Sequence, residues 1–167
     1  ISVAVAVGED TANRLMAKLT PRVESLKVGP STDAGADFGP LVTKQHLDKV
    51  KGYVDLGVEE GAKLVVDGRG FKMQGYEGGY YMGGCLFDNV TTDMRIYKEE
   101  IFGPCCHIAP FDSEEEVLAK ANDNKYGLAT AIWTSNISRA HRVAQKMEVG
   151  IAWVNSWFLR DLRTPFG

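Results

Sequence analysis

β-Branched residues alternate along positions 2–7, at Val3, Val5 and Val7, and the run predicts a strand. Gly8, Glu9 and Asp10 then turn the chain into a helix, with Asp10 as its N-cap and Leu15, Leu19, Val23 and Leu26 at near-helical spacing. Pro21 lies inside that pattern, so a kink or break is expected at about Thr20. Positions 28–40, rich in Gly, Pro, Ser and Asp, read as a long loop. Thr43 caps a second helix whose stripe of Leu47, Val50, Val54 and Val58 runs until Gly61 stops it. Short strands are expected at 63–66, 80–82, 85–90 and 105–109, with a turn-rich stretch over 68–79. Ser113 and the three acids after it form a capping box that opens a helix to about Asn122. A strand at 128–134, a helix at 136–147 with Ala140, Val143, Ala144 and Met147 on one face, and a strand at 149–154 complete the pattern. Strands alternating with helices imply an α/β layered fold with a largely parallel sheet, read as one domain over residues 1–167.

Composition narrows the partners. Hydrophobic residues are 44% and charged residues 25% of the 167 positions, the balance of a water-soluble domain able to bury a substantial core. A net charge of −3 supplies no basic field, so neither nucleic acid nor an anionic membrane is an expected partner. No apolar run approaches the roughly 18 residues that would span a bilayer. Positions 1–7 lack the basic start and cleavage site of a signal peptide. Three cysteines, Cys85, Cys105 and Cys106, are an odd number without metal-type spacing, and point to free thiols in a reducing, cytoplasmic setting. The chain opens without Met inside a strand-like run and stops at Gly167, so a segment of a longer polypeptide is expected.

Candidate chemistry concentrates in two stretches. In Glu99-Glu100-Ile101-Phe102-Gly103-Pro104, two acids, an aliphatic and an aromatic precede a Gly-Pro turn and a buried strand. By residue type this is either a solvated acidic turn or a loop presenting a carboxylate and a ring to a ligand with a polyhydroxyl part and a flat part. The second stretch, 155–167, holds Trp157, Phe158, Arg160, Asp161, Arg163 and Phe166. A guanidinium fork grips a carboxylate, so Arg160 or Arg163 implies an acidic ligand, unless both pair with Asp161 or solvent. Gly68-Arg69-Gly70 and Gly83-Gly84 lack the spacing and following helix of a dinucleotide-binding loop. His46, His107 and His141 have no second ligand nearby in sequence, so no metal site is expected; His46 and His141 read as solvated and His107 as a core-edge histidine.

The 99–104 stretch resembles the E-E-I-F-G-P signature of the aldehyde dehydrogenase superfamily, and the surrounding chain is similar to that family from end to end. The resemblance implies the family's catalytic-domain fold, a three-layer sandwich, with the NAD-binding domain and oligomerisation arm outside this chain. It implies NAD as cofactor, with Glu100 accepting from the nicotinamide-side ribose and Phe102 beside the nicotinamide; an ionised carboxylate can accept both hydroxyls of a ribose diol. The loop ending in Pro165-Phe166-Gly167 resembles the family's substrate-pocket loop, which makes Phe166 a wall beside the aldehyde, Trp157 and Phe158 its neighbours, and Arg160 or Arg163 the substrate's anchor. The nucleophilic Cys, general-base Glu and oxyanion Asn are expected upstream of Ile1. No catalytic residue is therefore assigned within the chain, which alone should be inactive.

Residues 1 to about 90 are similar to methylmalonate-semialdehyde dehydrogenases, which make acyl-CoA. Those from about 100 onward are similar to 2-hydroxymuconic-semialdehyde dehydrogenases, which release acids. The chain reads as a hybrid acting on a carboxylated semialdehyde with hydrolytic release; CoA acylation is the alternative, and a homo-oligomer is expected of the full-length enzyme. The rival from another class is a non-catalytic structural or assembly module.

Overall fold

The computed structural model describes residues 2–166; Ile1 and Gly167, on which the reading of cut ends rests, lie outside them. The elements run β1 (Val3–Val7), α1 (Gly8–Glu24), α2 (Lys44–Glu59), β2 (Lys63–Val66), β3 (Cys85–Asp88), α3 (Arg95–Lys98), β4 (Cys105–Phe111), α4 (Glu114–Asn122), β5 (Ala129–Ile132), α5 (Ile137–Ala144) and β6 (Ile151–Val154). Where one domain is expected, the chain groups into two compact units, residues 1–111 and 112–167.

The first unit is built on a four-stranded sheet ordered β1-β4-β3-β2. β1 and β3 flank β4 in parallel, and β2 closes the edge antiparallel to β3. Side chains alternate across a strand, so neighbouring β4 residues serve different layers. Ile108 packs with Ala12, Leu15, Met16 and Leu19 of α1. Cys105 turns the other way and joins Val50 and Val54 of α2, Phe87 of β3 and Ile96 of α3. The unit is thus helix, sheet, helix: the expected three layers with a mostly parallel sheet.

Several local expectations are corrected. Asp10 is not an N-cap but lies in the first turn of α1, where an acid suits the helix dipole; the cap position is Val7. Pro21 does not split α1, because it falls in the last turns and removes a single ladder bond, while Thr20 bonds back to the Met16 carbonyl at 2.9 Å. Residues 80–82 form no strand. Glycines on both sides bring backbone against backbone instead: a Cβ on Gly68 would stand 2.2 Å from the carbonyl carbon of Gly83. β4 runs through Pro110 to Phe111. His107 donates its N–H toward β1, so position 110 faces the other side, where pairing with β3 has already ended and no donor is needed. The four-residue α3 is too short to leave a periodic signal.

The second unit pairs β5 and β6 in parallel beside α4 and α5. Ser113 caps α4 by accepting from the Glu116 amide, and Glu116 reaches back to the Asp112 amide at 2.9 Å. α5 ends at Ala144, three residues before the expected end, at residues that turn without continuing the helix. Arg142 forks onto Glu114 at 2.5 and 2.7 Å, and the Arg142 guanidinium lowers the Glu114 pKa below the usual carboxylate range. No helix among the described residues is long and apolar enough to cross a membrane.

His107 is buried on β4, as a core-edge histidine, and its Nε2 has no hydrogen-bond partner among the described residues. Burial pushes its pKa from 6.5 down to about 4. Between those values the unfolded chain holds the extra proton, so stability falls as pH drops from 6.5 towards 4 and is level above 6.5. Over that window wild type should lose up to about 3 kcal/mol more than His107→Gln, read by urea unfolding at pH 7 and pH 4.5. Parallel losses in the two proteins would contradict the burial of a neutral imidazole.

Candidate functional site

The 99–104 loop leaves α3 and enters the amino end of β4. Glu99 ends α3, its N–H bonded to the Arg95 carbonyl at 2.8 Å. Its carboxylate takes the Arg95 fork from one side, Nε at 2.9 Å and Nη2 at 3.1 Å, and the Tyr53 hydroxyl of α2 from the other. Ile101 packs against the buried cluster that contains Val50 and Ile96. Phe102 has φ +57°, a left-handed backbone that is costly for a bulky residue, and its carbonyl accepts a 2.7 Å bond from His46 Nε2. A carbonyl acceptor requires the proton on that nitrogen, which sets the His46 tautomer. Gly103 sits directly on α2, where a Cβ would stand 2.6 Å from Val50 Cγ1.

The Glu100 side chain is exposed and the Phe102 ring is 71% exposed, two residues apart on this loop. Both expected cofactor contacts therefore face outward from a backbone secured behind them. The solvated reading of His46 is corrected: it is half-buried, and its ring lies edge-on to Phe102 at 6.2 Å. Tyr53, Arg95 and His46 went unrecognised in the sequence. His46, Val50, Tyr53 and Gly57 do recur at i, i+4, i+7 and i+11, the spacing of one helix face, but which loop that face meets is a tertiary fact.

The thiols lie elsewhere. Cys85 and Cys105 face each other in register on β3 and β4 and are buried, while Cys106 is half-buried; all three are free. The neighbouring Cys85 thiol and burial raise the Cys105 pKa, and burial also raises that of Cys106. Cys85 accepts a bond from the Gly68 amide at 3.3 Å. None combines exposure with a cationic neighbour, as an activated nucleophile requires. Among the described residues no three His, Cys, Asp or Glu side chains are grouped to hold a metal.

In the second unit the chain leaves β6 through Asn155 and a ring cluster. Trp153 lies 5.2 Å from Trp157 and 6.2 Å from Phe158, and its indole N–H donates to the Leu159 carbonyl at 2.7 Å. Phe158, 74% exposed, is again left-handed at φ +61°. The two arginines separate. Arg163 pairs with Asp161 at 2.5 Å, which lowers the Asp161 pKa. Arg160 pairs with no carboxylate among the described residues and lies over the Phe166 ring at 5.0 Å. Phe166 itself rests on Gly150, where a Cβ would meet its ring at 2.6 Å.

The aldehyde dehydrogenase family profile matches residues 2–167. The chain belongs to the aldehyde dehydrogenase family. Its similar relatives include the 2-hydroxymuconic semialdehyde dehydrogenase of Pseudomonas putida, 49% identical over 153 residues, covering 91% of this chain and 32% of that protein. The malonate-semialdehyde dehydrogenase of Pseudomonas aeruginosa is 49% identical over 155 residues, 93% of this chain and 31% of that protein. Among solved structures, a putative methylmalonate-semialdehyde dehydrogenase from Sinorhizobium meliloti, complexed with NAD, superposes with a TM-score of 0.89 at 52% identity, over 93% of this chain and 32% of that one. The fold is thus that of an aldehyde dehydrogenase, and the chain spans about a third of the length of the relatives it matches.

The seat of Gly103 on Val50 is directly testable. Gly103→Ala should cost about 1–3 kcal/mol in urea unfolding, because Val50 is fully buried and stiff at χ1. A change below about 0.5 kcal/mol would contradict the close approach.

Proposed function

We propose that this chain is the larger part of the catalytic domain of an NAD-dependent aldehyde dehydrogenase that oxidises a carboxylated semialdehyde to an acid. The observation that carries the reading is the left-handed, exposed Phe102 beside exposed Glu100, on the family's signature loop. A strained, solvent-facing aromatic is disfavoured by both backbone and solvation, and such outliers gather at ligand sites. Glu100 and Phe102 fit the nicotinamide-side half of NAD: a carboxylate for a ribose diol and a ring to lie against the flat heterocycle. When bound, NAD supplies the hydride acceptor.

Arg160 is the arginine we assign to the substrate's carboxylate, since Arg163 is occupied by Asp161. Phe166, Trp157 and Phe158 then supply apolar walls and exclude water. The relatives named for muconic and malonic semialdehydes support an acidic substrate. We take water as the acyl acceptor, in keeping with the muconic-type loop; the CoA alternative gains no support. The nucleophile is assigned outside this chain, because none of its three cysteines combines exposure with a cationic neighbour. The same incompleteness makes the isolated chain inactive.

The test is a graft of residues 1–167 into the Sinorhizobium meliloti relative in place of its matching third, with NADH formation as readout. Glu100→Gln should raise the NAD KM at least tenfold. Arg160→Gln should raise the KM for a carboxylated semialdehyde by a similar factor while leaving that for an uncharged aldehyde within twofold. Unchanged constants would remove the corresponding assignment. NADH production by the ungrafted 167-residue chain would overturn the claim that it is incomplete.

A further inference from the structure

One face of α2 holds the signature loop at three points of contact. Tyr53, with Arg95 of α3, grips the Glu99 carboxylate, Val50 receives the bare face of Gly103, and His46 holds the Phe102 carbonyl, while Ile101 packs against the buried cluster that Val50 belongs to. One turn further on, Gly57 lets α2 close down on Phe87 and Ile96, the residue after Arg95: a Cβ there would stand 2.9 Å from Ile96 Cδ1. Along this seam the Glu100 side chain is exposed, and so is the Phe102 ring, which lies edge-on to His46.

We infer that Tyr53 and His46 are positioning residues, and that the first glutamate of the signature, Glu99, is the loop's anchor rather than a ligand contact. The inference rests on the assignment of Glu100 and Phe102 to the cofactor. Its physical content is preorganisation. A loop free to sample other conformations would pay ordering entropy on binding, and Phe102 would leave its left-handed state for a cheaper one. The Tyr53 hydroxyl reaches Glu99 across 46 residues of sequence, and its bond to an ionised acceptor is of the stronger kind. The Tyr53 ring is itself fixed, with Lys49 Nζ 5.6 Å and the Arg95 guanidinium 6.0 Å from its centroid. On the far side, His46 bonds the carbonyl of the very residue whose φ is unfavourable, which opposes relaxation of that backbone. Neither residue has to touch the cofactor for this to work.

Tyr53→Phe keeps the ring and its packing and removes only the hydroxyl. In the 167-residue chain, the protease Glu-C should cut after Glu99 and Glu100 at least fivefold faster in Tyr53→Phe than in wild type, with cleavage after exposed Glu77 unchanged. Equal rates at Glu99 and Glu100 would overturn the clamp. Glu99→Gln, which keeps an oxygen for Tyr53 but loses the charge opposite Arg95 and also the cut after residue 99, should give an intermediate rate after Glu100; a wild-type rate there in both variants would also overturn it. In the graft described above, Tyr53→Phe should raise the NAD KM about five- to tenfold with kcat within twofold, a split that general destabilisation would not produce. If Glu100→Gln raises that KM and Tyr53→Phe does not, the positioning role is refuted and the cofactor assignment stands. If Glu100→Gln leaves it unchanged, the cofactor assignment falls, and the cleavage rates alone judge the clamp.

Discussion

Helix α2 lies against the signature loop where position 103 carries no side chain, and against α3 and β3 where position 57 carries none. A methyl group at either would sit within 2.9 Å of a packed carbon of Ile96 or Val50. Much of the first unit follows from that contact. With α2 drawn down, Val50 and Val54 are wholly removed from water and complete the cluster that includes Phe87, Met82 and Ile96. Burying a Val or Phe side chain stabilises by roughly 1.5–3 kcal/mol each. Dispersion adds to this only where atoms meet at full density, so a helix held even an ångström away would forfeit much of the gain.

The same contact orders a segment that would otherwise be a poor candidate for order. An acidic turn followed by Gly-Pro has little of its own to bury. The Glu99 carboxylate and the Phe102 carbonyl are instead met from behind by side chains of α2 and α3, and its one large aliphatic, Ile101, packs half-buried against the core. The Glu100 side chain and the Phe102 ring stay exposed to solvent. Rigid backbone with exposed chemistry is what a binding loop requires, since each degree of freedom fixed beforehand is one the ligand need not fix.

Much of this fold was legible from pattern alone. The stripe of Leu47, Val50 and Val54 gives α2, the Thr43 cap begins it where the structure does, and Lys63–Val66 is found at its expected bounds. The errors have local causes. Tyr80, Tyr81 and Met82 have strand-forming side chains, but the glycines around them favour packing without a ladder. Pro21 carries a strong breaking tendency, which matters little so near a helix end. In the candidate site, Glu100 and Phe102 were visible through their signature, because a contiguous string carries its own meaning. His46 and Tyr53 were not: their roles depend on partners 56 and 46 residues away, and nothing in a periodicity records which loop a polar residue on a core-facing stripe will meet. The separation of Arg160 from Arg163 likewise needed coordinates, since both stand close to Asp161 in sequence.

The account turns on residues 99–103 being as rigid as the helix behind them while no ligand is present. Backbone ¹⁵N order parameters of the 167-residue chain measure this directly. Values near 0.85 across 99–103, matching those of α2, are expected. Values below about 0.6 there, with α2 still rigid, would mean that the loop is ordered by its ligand and not by the seam, and the account would fail.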